Sequence, residues 1–228
     1  MQKEIQVLTE KYSGSTSIRA LVQLIPYVGG ALDLVLSEKG QHFRKERLEH
    51  YIANVADRMQ GLEGQLAKLI GDFPEKIFDL LRSHLEEVDR SGDAERRKQF
   101  ANILLNQASR LADWSESETA TRLLKSLTTL HIHVLREICN APICLEPFEG
   151  LRVSTIEPVA RDEGSPQSFL VLAEIFPTVP IPQLRLIVIE LVSTGLIRDE
   201  GVGRFGAAAM EKFSPLPSGE WLLNWISR

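Results

Sequence analysis

The run from Ser17 to Leu36, SIRALVQLIPYVGGALDLVL, carries only Arg19 and Asp33 as charges and is the longest nearly uncharged stretch of the chain. Such a run is either buried within a fold or set against an apolar surface outside it. Pro26 opens or kinks a helix at its centre, and Gly29-Gly30 removes side chains where a neighbour presses on the backbone, so a broken apolar hairpin or a kinked helix is expected. A membrane span needs about 20 predominantly apolar residues; this run is marginal in length and broken by Pro26 and the glycine pair, so constitutive spanning is not expected. Lys39, Arg44, Lys45 and Arg47 follow it. Three uses fit that order. The run is buried in a bundle ahead of a solvated helix. Or it is releasable, with Arg19 and the four following cations at an anionic lipid surface while Leu21, Leu24, Ile25, Val28, Leu32 and Leu36 enter the interface. Or Gly29 and Gly30 mark where a partner helix or a second copy packs closely.

Downstream, apolar residues at Leu48, Tyr51, Ile52, Val55, Met59, Leu62, Leu66 and Leu69 recur in steps of three and four, which predicts one long amphipathic helix over 41–70, weakened at Gly61 and Gly64. Phe73-Pro74 begins a second helix with Ile77, Phe78, Leu80, Leu81, Leu85 and Val88 inward, stopped at Ser91-Gly92. A third spans 94–112 with Phe100, Ile103, Leu104 and Leu111 inward. Ser115 and Glu118 have the spacing of a capping box, so a fourth helix is expected to start there and run on toward Ile138.

After Asn140 prolines crowd the sequence, and an irregular connection is expected as far as Gln167. Short helices then follow over 168–176 and 180–194, the second with Pro182 in its first turn and Gly195 as its C-cap. LIRDEGVGRFGAAAMEKFSPL reads as two short strands around a turn at Glu200-Gly201-Val202-Gly203, and SGEWLLNWISR as a closing helix. Three helices, a hairpin and a last helix make the order of a winged-helix module. ELVSTGLIRDEG followed by FSPLPSGEWLL resembles the helix, Gly-Leu-Ile strand, wing and last-helix start of many bacterial winged-helix proteins, which bind DNA, RNA, proteins or each other.

A net charge of −5 argues against nucleic-acid binding driven by the whole-protein field. Residues 1–126 carry 18 basic and 19 acidic groups, and residues 127–228 carry 8 and 12, leaving −1 and −4. In a DNA-reading winged helix the third helix offers Arg, Lys, Asn or Gln to base edges. Here it offers only Gln183 and Arg185, opposed by Glu190, and the wing offers Arg198 and Arg204 around Asp199 and Glu200. DNA is therefore disfavoured beside a protein contact. His131, His133, Cys139 and Cys144 have zinc-type ligand chemistry, but His131 and His133 point to nearly opposite sides of one helix, so a metal is not expected. No nucleophile with a neighbouring base and no phosphate-cradling glycine loop is visible, so neither catalytic residues nor a cofactor are expected. Two cysteines are too few for a disulfide framework, and the polar start MQKEIQVLTEKY lacks the apolar core of a secretory signal; a cytoplasmic location is expected.

Ile25-Pro26-x-x-Gly29-Gly30-x-x-Asp33, the arginine-bearing helix with Arg44 and Arg47, the run AERRKQFANILLNQ from Ala94 to Gln107, and the proline-x-glycine start of the last helix together resemble the abortive-infection alpha group of bacterial proteins and related phage-defence accessory proteins. The likeness extends over most of the chain. It departs in the last motif, where Pro217-Ser218-Gly219 stands in place of the commoner proline-leucine-glycine. The resemblance implies a non-enzymatic role in growth arrest or defence and brings no catalytic residues.

The chain is thus expected to be mainly α, with a helical bundle over 1–126 and a winged-helix-like module over 127–228. It is expected to act by binding. The module would hold or sense a protein partner, and segment 18–36 would switch to self-association or to the inner membrane surface. The alternative is a winged-helix transcription regulator whose N-terminal bundle dimerises or senses a ligand.

Overall fold

A computed structural model of the chain describes residues 38–58, 61–110, 113–140, 143–145, 152–154, 168–202, 209–210 and 213–227. Among them are nine helices and two small antiparallel strand pairs, so the protein is mainly α. Contacts divide the chain into two compact units, Met1–Ser126 with Trp225–Arg228, and Leu127–Asn224.

In the first unit the expected long helix over 41–70 is two helices, α1 (Glu38–Arg58) and α2 (Glu63–Asp72). The break falls at Gly61, whose φ of +87° is the left-handed conformation that ends a helix and that glycine adopts without strain. Apolar periodicity crosses the break undisturbed, because Tyr51, Ile52, Val55, Leu66 and Leu69 are all buried. Pro74 sits in the first turn of α3 (Pro74–Arg90), where its missing N–H costs nothing, and Ile77, Leu80, Leu81, Leu85 and Val88 face inward.

α4 (Ala94–Arg110) is the centre of this unit and touches α1, α2, α3 and α5 (Trp114–Ser126). Every residue from Gln99 to Ala108 is buried, although the helix is rich in polar groups. Arg96, Arg97, Asn102 and Asn106 among them satisfy the ends of other helices, whose last carbonyls have no partner within their own helix. Arg96 donates to the Leu124 and Lys125 carbonyls at the end of α5 at 2.9 and 3.2 Å. Arg97 donates to the Ser91 carbonyl after α3 at 3.0 Å, and Arg47 from α1 donates to the Asp89 carbonyl of the same helix end. Asn102 and Asn106 donate to the Ile226 and Trp225 carbonyls at 2.6 and 2.7 Å.

One fully buried polar chain threads the same core. The Tyr51 hydroxyl lies 3.1 Å from His84 Nδ1, and His84 Nε2 lies 3.0 Å from Thr121 Oγ1. The ring packs tilted on Phe100, with centroids 5.2 Å apart. Burial, with Lys125 nearby, lowers the His84 pKa to about 3, so the imidazole is neutral.

The expected start of α5 at Ser115 is corrected to Trp114. Asp113 supplies the cap instead, its Oδ1 accepting the Ser115 N–H at 3.2 Å and its carbonyl accepting the Glu116 N–H at 3.0 Å. Those hydrogen bonds to Ser115 hold the Asp113 carboxyl below its ordinary pKa. The expected continuation to Ile138 is also corrected, since α5 ends at Ser126 and a new helix, α6 (Thr129–Asn140), begins three residues on.

In the second unit α6 is followed by β1 (Ile143–Leu145) and β2 (Arg152–Ser154), which pair antiparallel with Cys144 opposite Val153. The connection expected to be irregular therefore contains a strand pair, three residues long on each side and too short to leave a periodic signature. α7 (Ser168–Ile175) and α8 (Ile181–Ser193) precede β3 (Ile197–Asp199) and β4 (Phe213–Pro215), paired with Arg198 opposite Ser214. The last helix is α9 (Pro217–Ile226).

Candidate functional site

α8 is positioned by residues at both of its ends. Pro180 and Pro182 set its first turn, and the Leu184 N–H returns to the Pro180 carbonyl at 3.0 Å. At the other end Gly195 has φ +70°, its N–H bonds the Val192 carbonyl at 3.0 Å, and the Leu196 N–H bonds the Leu191 carbonyl at 3.1 Å. This is the Schellman ending that the sequence suggested for Gly195. Leu184, Ile187, Val188 and Leu191 are buried and fix the helix on the unit's core.

The outer face of α8 is where the helix departs from a base-reading surface. Leu186 is 54% exposed, Ile189 50% and Ile181 49%. Gln183 and Arg185, the residues expected to meet base edges, are also exposed on this helix, but they flank an apolar strip instead of forming part of a basic one. The strip was missed because a helix with apolar residues on every side gives no contrast between its faces; IPQLRLIVIELV carried that signal in its excess of Leu, Ile and Val.

Glu190 borders the strip and is held from α6. His131 Nε2 lies 2.6 Å from Glu190 Oε2, and His131 Nδ1 accepts the Thr128 N–H at 3.2 Å with the Thr128 hydroxyl at 2.6 Å. Thr128 and His131 thereby cap α6 reciprocally, histidine standing three residues on in the place that glutamate holds in a capping box. This chain has the connectivity of nucleophile, base and carboxylate, but its hydroxyl and one ring nitrogen are engaged in the helix start. Both ring nitrogens of His131 are thus occupied, and burial, with Glu220 adding to it, pushes the Cys139 thiol up to about 11. Among the described residues no three His, Cys, Asp or Glu side chains are grouped to hold a metal ion.

The hairpin base is acidic and self-satisfied. Arg198 is bound by Glu200 at 2.5 and 2.8 Å, and the Ser214 hydroxyl donates to the same carboxylate. Asp199 accepts the Gly201 N–H at 2.9 Å and the Met210 N–H at 2.8 Å, tying the two ends of the turn. Arg204 lies outside the described residues. Gly219 explains the proline-x-glycine start of α9: a Cβ there would lie 2.3 Å from the Leu196 carbonyl oxygen, so only glycine admits this approach.

Leu21, Leu24, Ile25, Val28, Gly29, Gly30 and Leu32 also lie outside the described residues. Arg44 and Lys45 fall within α1, while Arg47 is the residue that closes the end of α3. Among the described residues no helix is long and apolar enough to cross a membrane. No family model, curated protein or solved structure matches the chain.

Proposed function

We propose that the chain acts by binding protein, with residues 127–224 serving as a winged-helix-like module and the outer face of α8 as its contact surface. The observation that carries this is the exposure of Leu186 and Ile189, each half or more open to solvent on the helix that a DNA-binding relative of this architecture lays in the major groove. Exposed apolar side chains gain when water is excluded from them, whereas phosphates and base edges reward Arg, Lys, Asn and Gln. The ion pair of Arg198 with Glu200 supports the same reading, because it withdraws a wing cation from phosphate. A binding role of this kind accords with the growth-arrest or defence role that the sequence resemblance implies, with segment 18–36 as a second contact for membrane or partner.

The runner-up, a transcription regulator, draws on Gln183 and Arg185, both exposed on α8. Photo-cross-linking separates the two readings. With a photoreactive phenylalanine in place of Ile189, ultraviolet irradiation of cells of the source organism should give a protein adduct of defined mass, absent when the same residue replaces the exposed Arg122 of α5. Failure to form any protein adduct from position 189, together with Arg185-dependent binding of the purified chain to duplex DNA, would overturn the protein-binding reading.

A further inference from the structure

Nothing in the composition of the chain requires the break between α5 and α6. From Trp114 to Asn140 there is neither glycine nor proline. Ala120, Leu124, Leu127, His131, Val134 and Ile138 are all buried and recur in steps of four, three, four, three and four, a helical period that crosses the break unchanged. What holds the break is a set of caps. Arg96 donates to the Leu124 and Lys125 carbonyls, and the Thr128 N–H turns to His131 Nδ1 at 3.2 Å. In a continuous helix the same two carbonyls would accept the Thr128 and Thr129 N–H groups. Either arrangement satisfies them, so Leu127-Thr128 can serve as a hinge with two states.

That hinge coincides with the boundary of the first compact unit, which ends at Ser126 and resumes at Trp225. α9 thus begins in the second unit and ends in the first. Its last two residues, Trp225 and Ile226, are buried in a seat on α4. Asn106 and Asn102 donate to their carbonyls, Arg58 holds Asn102 by its side-chain oxygen, and the Arg110 guanidinium lies 5.1 Å from the centre of the Trp225 ring. No covalent bond ties this seat to its occupant, and it fits the same two residues from another copy as well as from its own chain.

We propose that the chain forms a domain-swapped dimer, in which α5 and α6 straighten through Leu127-Thr128 into one helix and Trp225–Ile226 of each copy fills the α4 seat of the other. The exchanged contacts repeat the closed ones except at the hinge, where one set of partners for two carbonyls replaces another, so protein concentration decides between the forms. The outer face of α8 has no part in this exchange, and the proposal stands apart from the protein-binding reading of that face.

Size-exclusion chromatography of the full chain, held at about 1 mM and then diluted, tests it. The wild type should yield a dimer that reverts slowly. Thr128→Ala removes the hydroxyl that accepts the His131 N–H at 3.4 Å; with two hinges in each dimer, it should raise the association constant about 30-fold. Thr129→Pro should do the reverse. Proline is accommodated at the first position of α6 but not inside a continuous helix, so the dimer should weaken at least about 1,000-fold while circular dichroism shows the fold retained. Where Thr129→Pro perturbs the fold, two glycines inserted after Leu127 oppose the continuous helix without proline and should likewise lower the dimer fraction. Exchange itself is read with a photoreactive phenylalanine in place of Trp225: its adducts to α4 should have the mass of one chain in the monomer fraction and of two in the dimer fraction. Leu186→Asp should leave the dimer as it is. A wild type and a Thr128→Ala variant that both stay monomeric, a dimer that survives both hinge-blocking changes, a dimer lost in Leu186→Asp, or position-225 adducts confined to one chain in the dimer fraction would overturn the proposal.

Discussion

α4 and α8 are the two helices that most contradict their own composition. α4 carries Glu95, Arg96, Arg97, Lys98, Gln99, Asn102, Asn106 and Gln107, yet it is the buried centre of the first unit. α8 is dominated by Leu, Ile and Val, yet a strip of it faces solvent in the second. Polarity does not set burial by itself, and in α4 several polar groups are carried inside by hydrogen bonds to helix ends. Arg97, Asn102 and Asn106 are buried, and Arg96 half-buried, where they meet carbonyls that helix ends leave without partners. Leu186 and Ile189 are half exposed on a helix whose other apolar residues, Leu184, Ile187, Val188 and Leu191, are buried.

If that contrast is sound, disturbing the buried polar core should cost far more stability than altering the exposed apolar strip. Acid should have the largest effect. His84 is neutral in the folded chain with its pKa lowered to about 3, while the unfolded chain takes up a proton near pH 6.5. Above that pH the group contributes no pH dependence; as pH falls from about 6.5 toward about 3 the unfolded state binds the extra proton, and stability drops by roughly 1 kcal/mol per pH unit. Urea unfolding at pH 7, 5 and 4 should show this slope in the wild type and a shallower one in His84→Gln. Next in size, Asn106→Leu leaves the Trp225 carbonyl without its donor and should cost about 1–3 kcal/mol, read as a lower urea midpoint. Smallest, Leu186→Asp should change stability by less than about 0.5 kcal/mol, since the side chain is already in water. A large loss from Leu186→Asp beside a negligible one from Asn106→Leu would reverse the comparison.

Much of the helical order was legible before any coordinates. The spacing of Tyr51, Ile77, Leu81 and Phe100 marked inward faces, and Gly195 announced the end of α8. Boundaries set by one residue's backbone or side chain were less so. Gly61 looked like a weak point in a continuous helix and instead lies in the break between two, because nothing in the apolar spacing reports a positive φ. Asp113 and Ser115 are both good caps, and the choice falls to Asp113 through its bonds to the Ser115 and Glu116 amides. Thr128 was hidden because the partner that makes it a cap is a histidine. The candidate site was half legible: Gln183, Arg185 and Arg198 could be named, but not that Glu200 holds Arg198 or that Leu186 and Ile189 stay outside. Arg47 was read by charge alone as a residue for lipid or partner, whereas its contact is the Asp89 carbonyl, a pairing that joins positions far apart in the chain.

The two asparagines of α4 have one more implication, for the order in which the protein is made. Their acceptors, the carbonyls of Trp225 and Ile226, belong to the first compact unit yet emerge from the ribosome after the whole of the second. A growing chain holds Asn102 and Asn106 in waiting through more than a hundred further additions. Closure of the first unit therefore waits until the second has been synthesised.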